Sequence, residues 1–127
     1  SRVLNIALSK KVLVVDDEVY LADIWREIFR LIDTEVVTAA SGDEAISVLK
    51  EDPVDLVITD LRMRGSDGFV LLDYIREQFQ RDIPVVVCSG FFNEDCDELS
   101  SHKITRFIPK PFSVSEELAY LQGLLAD

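Results

Sequence analysis

The chain has 127 residues, 48% of them hydrophobic and 29% charged, which suits one soluble globular domain with an ordinary core and argues against a disordered or disulfide-stapled chain. A formal net charge of -11 argues against direct binding of nucleic acid or an anionic membrane by this domain, because both reward clustered Lys and Arg. Two cysteines, no signal-peptide pattern and no apolar run of membrane-spanning length predict a reducing cytoplasm, with proteins or cations as partners.

Residues 1–9 carry no periodic pattern and read as an N-terminal arm or an expression remnant, leaving 10–127 as the domain proper. A first strand is predicted over 11–15, a block of Val and Leu that stops at Asp16, Asp17 and Glu18. The helical spacing of Leu21, Ile24, Trp25, Ile28, Phe29 and Ile32 predicts a helix over 19–32, with that stripe facing the core. A second strand follows at 35–39, rich in β-branched residues. Ser41 and Glu44 form a capping box that opens a second helix, reaching about residue 50 and turning Ala45, Val48 and Leu49 inward. Leu56 to Thr59 make the third strand, which ends on Asp60. A carboxylate at the end of a buried strand is poorly solvated and needs a reason to be there.

A third helix is expected over 69–80, burying Val70, Leu71, Ile75 and Phe79. The fourth strand, at 85–88, ends in Ser89 and Gly90, and Asn93 caps a short acidic helix. Cys88 reads as core and Cys96, among acids, as exposed. His102, the only histidine, reads as solvent-facing, since no second ligand type stands near it for a metal. Arg106, Phe107 and Ile108 form a short fifth strand, and Pro109 and Pro111 suit a sheet edge, where a missing amide leaves no ladder bond unmade. Ser113 to Glu116 is a second capping box, opening a last helix that buries Val114, Leu118, Leu121 and Leu125.

Five apolar strands alternating with helices predict an α/β fold: a doubly wound, five-stranded parallel sheet covered on both faces, with strand order 2-1-3-4-5. In such a sheet the ligand crevice lies at the carboxyl ends of the strands, near the switch between the first and third. There the chain delivers Asp16 and Asp17, then Asp60, Ser89 and Lys110. Carboxylates about 4 Å apart repel by roughly 4 kcal/mol per pair at an effective dielectric near 20, so three of them require a proton or a cation. With oxygen ligands only, Mg2+ is favoured, with room left for substrate oxygens. Lys110 and the Ser89 hydroxyl would suit a phosphoryl group beside that ion, with Asp60 as the nucleophile. The plainer reading is an acidic cluster neutralised by Lys110, although one lysine cannot balance three acids.

Asp16-Asp17, Asp60-Leu61-Arg62-Met63 with Asp67-Gly68, Ser89, Phe107 and Lys110-Pro111-Phe112, in this order and spacing, resemble the receiver domain of two-component response regulators, a flavodoxin-like (βα)5 fold. The resemblance covers about residues 10–125. It implies a phosphorelay switch rather than a turnover enzyme, with Asp60 as phosphoacceptor and Mg2+, or Mn2+, as the cofactor. Asp17, Asp60 and the Arg62 carbonyl are then metal ligands, and Asp16 acts through a water. Ser89 and Lys110 would bind the phosphoryl oxygens, Phe107 would swing inward as Ser89 shifts, and the Lys110-Pro111 bond is often cis in such domains. The donor would be a sensor histidine kinase or a histidine phosphotransfer protein. A downstream effector would read the face made by the fourth helix, fifth strand and last helix, which is also the candidate surface for a homodimer.

Arg64, Gly90 and Lys103-Ile104 depart from the usual pattern, which has Pro, Ala and Gly-Ala at those places; the third departure falls on the turn before the fifth strand. Arg62 and Phe91 are expected to overhang the phosphoryl group and prolong its lifetime. Among other classes, a nucleotide carrier would want a phosphate loop where Asp16, Asp17 and Glu18 stand. A dehalogenase-like phosphatase would want its nucleophile after the first strand and an acid where Arg62 lies. The closest alternative is a degenerate receiver that serves only as a docking module.

Overall fold

A computed structural model describes residues 9–63, 66–79, 81–90, 99 and 101–126. Residues 1–8 of the predicted arm, Phe91, Cys96, Arg64, the side chain of Asp67 and all of the helix expected after Asn93 except Leu99 lie outside the described residues. Five strands, β1 (Lys11–Val15), β2 (Glu35–Ala39), β3 (Leu56–Thr59), β4 (Val85–Ser89) and β5 (Arg106–Pro109), form one sheet. Its order is β2-β1-β3-β4-β5 and every pairing is parallel, as the alternation of apolar strands and helices predicts. Antiparallel neighbours could be joined by tight turns, whereas these strands are separated by helical crossovers: α1 (Val19–Arg30), α2 (Gly42–Glu51) and α3 (Gly68–Glu77), with α4 (Val114–Leu125) closing the chain.

Because successive side chains in a strand point to opposite faces, β1 feeds two cores. Leu13 and Val15 join Val57, Val85 and Val87 beneath α2 and α3, packing with Leu49, Leu71 and Leu72. Val12 and Val14 join Leu56, Ile58 and Val86 beneath α1 and α4, packing with Trp25, Phe29 and Leu121. Trp25 is stacked between Phe29 and Phe112, at centroid distances of 5.7 and 5.5 Å. Cys88 lies in the same layer, and burial pushes its thiol up to about 12, so it is an inert core residue.

Local sequence sets the helix ends. Ser41 Oγ accepts from the Glu44 amide at 3.1 Å, while the Glu44 carboxylate accepts from the Ala40 amide at 3.2 Å, one residue before the position a capping box prescribes. Ser113 Oγ accepts from the Glu116 amide at 3.4 Å. The first helix stops at Arg30, two residues short of the predicted Ile32. Asp33 adopts φ 55°, its amide donates to the Arg30 carbonyl at 3.1 Å, and the Thr34 amide donates to the Phe29 carbonyl at 3.0 Å. That pair of bonds is a Schellman closure, which favours glycine at the left-handed position. An Asp33→Gly chain is expected to gain about 0.5 kcal/mol, seen as a higher urea midpoint with an unchanged slope.

Two predicted core residues are outside. Ile24 is 42% exposed, because Ala22, Trp25 and Phe29 define the buried line of α1. Val70 is 44% exposed, because α3 begins at Gly68 and buries Phe69, Leu71 and Leu72 on either side of it. The third helix also ends earlier than residue 80, at Glu77, where the amides of Gln78 and Phe79 both return to the Tyr74 carbonyl.

Candidate functional site

The register of the sheet decides which polar groups meet. Val15 is level with Thr59, so Asp16 and Asp60 emerge side by side from β1 and β3. The ladder continues through them: the Asp60 amide donates to the Val15 carbonyl at 2.9 Å and the Asp16 amide to the Ala39 carbonyl at 3.0 Å. On the other side of β3, Ser89 is level with Pro109, and the Lys110 amide donates to the Ser89 carbonyl at 3.0 Å. Lys110 reaches back across β4, placing Nζ 2.8 Å from Asp60 Oδ2 and 3.1 Å from Asp16 Oδ2. The Lys110-Pro111 peptide is cis.

Each acid is held through both of its carboxylate oxygens. Asp60 Oδ1 accepts from the amides of Leu61 at 2.7 Å and Arg62 at 3.3 Å, and Asp16 Oδ1 accepts from the Glu18 amide at 2.9 Å. The remaining oxygen of each faces the Lys110 ammonium. The Asp16 and Asp60 side chains are only 5% and 8% exposed, so the pairing is formed largely out of water, where charge interactions are strong. Burial raises the Asp16 carboxyl above its usual range, and the Glu18 amide and Lys110 offset this only in part. Burial would lower the Lys110 ammonium, but the hydrogen bond and charge of Asp60, followed by those of Asp16, outweigh it and hold the charge through neutral pH.

The helix that follows the site is seated directly on it. The Gly68 amide donates to the Leu61 carbonyl at 2.9 Å, and a Cβ at Gly68 would lie 2.5 Å from the Asp60 carbonyl oxygen and 2.7 Å from the Leu61 Cα. That contact is the physical reason for glycine here. Thr59, fully buried, donates its hydroxyl to the Asp60 carbonyl at 2.8 Å. Sequence reasoning missed Thr59. A hydroxyl at the end of an all-apolar buried strand was the available signal, since such a group must find an acceptor.

The other candidates are placed as follows. Ser89 is fully buried at the carboxyl end of β4, and Asp17 is half-buried beside Asp16 at the same edge. The Arg62 side chain is exposed, and its backbone opens a two-residue antiparallel ladder, Arg62–Met63 against Ser66–Asp67. Phe107 is half-buried in β5, level with Val87, and packs against the core beneath α2 and α3. Among the described residues, no group of three His, Cys, Asp or Glu side chains is gathered closely enough to hold a metal alone. The oxygen-only donors present fit Mg2+, which is held by one or two carboxylates and completes its octahedron with water and other oxygens.

His102 is not solvent-facing. Its side chain is 5% exposed, its Nε2 donates to Asp73 Oδ1 at 2.6 Å, and its ring packs against Phe69 at 5.5 Å between centroids. A polar neighbourhood in the sequence concealed this, because the partners come from α3, with Asp73 29 residues away and Phe69 further still.

A parallel doubly wound sheet with its polar groups collected at the carboxyl ends defines the class of protein. Residues 12–122 match the family model of the response regulator receiver domain, and the chain belongs to that family, part of two-component signalling. It is 31% identical over 118 residues to a probable transcriptional regulator, ycf27, of Pyropia yezoensis, covering 91% of this chain and 47% of that protein. It is 34% identical over 120 residues to the transcriptional regulatory protein YvrH of Bacillus subtilis, covering 90% and 48%. The chain thus spans about half the length of the curated relatives it matches. Among solved structures, the chemotaxis response regulator CheY4 of Vibrio cholerae has a TM-score of 0.81 at 28% identity, covering 92% of this chain and 99% of that one. The receiver domain of NtrX from Brucella abortus has a TM-score of 0.78 at 32% identity, covering 90% and 97%.

Proposed function

We propose that the chain is the phosphoacceptor switch of a cytoplasmic phosphorelay and that Asp60 carries the phosphoryl group. The observation that carries this reading is the way Asp60 is held. One carboxylate oxygen is fixed by two backbone amides, and the other is turned toward the Lys110 ammonium. In the transfer, the phosphorus–nitrogen bond of a phosphohistidine breaks as a bond forms from phosphorus to an Asp60 oxygen. The imidazole leaves with the electron pair and takes a proton from water. Lys110 and the Ser89 hydroxyl bind the phosphoryl oxygens, and Lys110 exchanges part of its pairing with Asp60 for them.

Asp17, Asp60 and the Arg62 carbonyl would hold Mg2+ or Mn2+, with Asp16 reaching it through a water. That ion supplies charge neutralisation at the phosphoryl oxygens. Occupancy favours the arrangement in which Ser89 is drawn toward β3 and Phe107 fills the space behind it, changing the face around β5 and α4. A sensor histidine kinase or phosphotransfer protein is the donor. An effector protein or domain reads that face, or a second copy pairs on it. The chain turns over no external substrate and binds neither nucleic acid nor membrane itself.

Incubation with Mg2+ and acetyl phosphate is expected to give one acid-stable, base-labile phosphoryl adduct, located at Asp60 and absent from an Asp60→Asn chain. No adduct in the parent would leave a docking module independent of phosphorylation. Arg62 and Phe91 shield the phosphoryl group from water, so Arg62→Ala and Phe91→Ala are expected to lose it severalfold faster; unchanged decay in both dismisses that role.

A further inference from the structure

The segment that leads into β5 is fastened at several points. Ser101 Oγ lies 3.3 Å from His102 Nδ1, and Arg76 joins the Ser101 carbonyl at 3.1 Å to the same Asp73 oxygen that His102 binds, at 3.2 Å. Further along, Thr105 donates its amide to the Val85 carbonyl at 2.7 Å, and its hydroxyl accepts from the Val85 amide at 3.0 Å. His102 is the centre of this arrangement. Phe69 and Asp73 stand four residues apart on one face of α3, so the imidazole packs on one and bonds the other, spanning the first turns of the helix. Those turns begin at Gly68, which rests on the backbone of Asp60 and Leu61. The Leu61 amide in turn holds Asp60 Oδ1 at 2.7 Å. A continuous run of contacts therefore leads from His102 through Phe69 and Gly68 to the carboxylate.

We propose that His102 is a positioning residue for the Asp60 site. Clasped to Asp73 and Phe69, it fixes the seat of α3 on the Asp60-Leu61 backbone, and the rate at which Asp60 takes up phosphoryl depends on that clasp. This rests on Asp60 being the phosphoacceptor. A purely structural role for His102 would lower stability without singling out the site.

The test uses the full chain with Mg2+ and acetyl phosphate, measuring the rate of Asp60 phosphorylation together with amide hydrogen exchange at Leu61 and Gly68. His102→Ala and Asp73→Ala are each expected to slow phosphorylation by roughly tenfold, the size of effect that a small misplacement of a reacting group produces. The double variant should be no slower than the worse single variant, because both remove one clasp. His102→Gln, which can still donate to Asp73, should recover most of the rate. Phe29→Leu loosens the core on the opposite face of the sheet and should keep the parental rate despite lost stability. Exchange at Leu61 and Gly68 should quicken in His102→Ala and not in Phe29→Leu. Parental rate and exchange in His102→Ala, or equal slowing in Phe29→Leu, overturns the inference while phosphorylation of Asp60 stands. A parent chain that takes no phosphoryl group overturns the phosphoacceptor reading, and the inferred effect on rate falls with it.

Discussion

A Gly68→Ala chain is expected to unfold at a much lower denaturant concentration than the parent, with a loss of about 3 kcal/mol in an equilibrium urea titration. The added Cβ would meet backbone atoms, 2.5 Å from the Asp60 carbonyl oxygen and 2.7 Å from the Leu61 Cα, and no rotamer change can relieve it. The helix must then lift from the strand end, weakening the Gly68-to-Leu61 hydrogen bond and the burial of Phe69, Leu71 and Leu72 that follows. Gly90 is the internal control. A Cβ there meets nothing within 4 Å, so Gly90→Ala should leave stability nearly unchanged. Equal stability of parent and Gly68→Ala would show that the helix start is not held as closely as described.

Lys110→Met is expected to cost about 2 to 3 kcal/mol at neutral pH, because it leaves two largely buried carboxylates facing each other without their shared cation. The loss should shrink on acidification. Asp16 already has a raised carboxyl in the folded chain, and removing Lys110 takes away a charge that lowers it. A group raised on folding contributes stability that is fully present below its unfolded value, near 3.8, and lost as pH rises through its folded value. The variant should therefore regain stability as pH falls from neutral through the raised Asp16 value. Adding Asp16→Asn to Lys110→Met should recover most of the neutral-pH loss and flatten that dependence. Urea midpoints followed across pH provide the measurement, and a pH-independent deficit in Lys110→Met would contradict the arrangement.

The strands and the order of the sheet were legible because the three central strands, β1, β3 and β4, are near-continuous apolar blocks and because parallel neighbours require helical returns. The meeting of Asp16, Asp60 and Lys110 was legible for the same reason: all three sit just past strand ends, and topology alone brings those ends together. Ile24 and Val70 were misread because an apolar residue beside a buried stripe matches helical spacing as well as the stripe itself. The environment of His102 was invisible. It depends on Asp73 and Phe69 from another element, and no periodicity in residues 99–105 signals a partner so distant in the chain. Thr59 escaped notice because a single hydroxyl in a strand is usually read as β-propensity, not as a bond to be completed.

The aromatic stack of Trp25 on Phe112 has a practical consequence. The chain holds one tryptophan, and one of the two rings stacked on it belongs to the second residue after Lys110. Indole emission responds to small changes in the packing of adjacent rings, so this protein contains its own optical gauge of the lysine loop. A shift of this loop on phosphorylation is expected to change the emission of Trp25, which can be read in unlabelled material with no dye to disturb it.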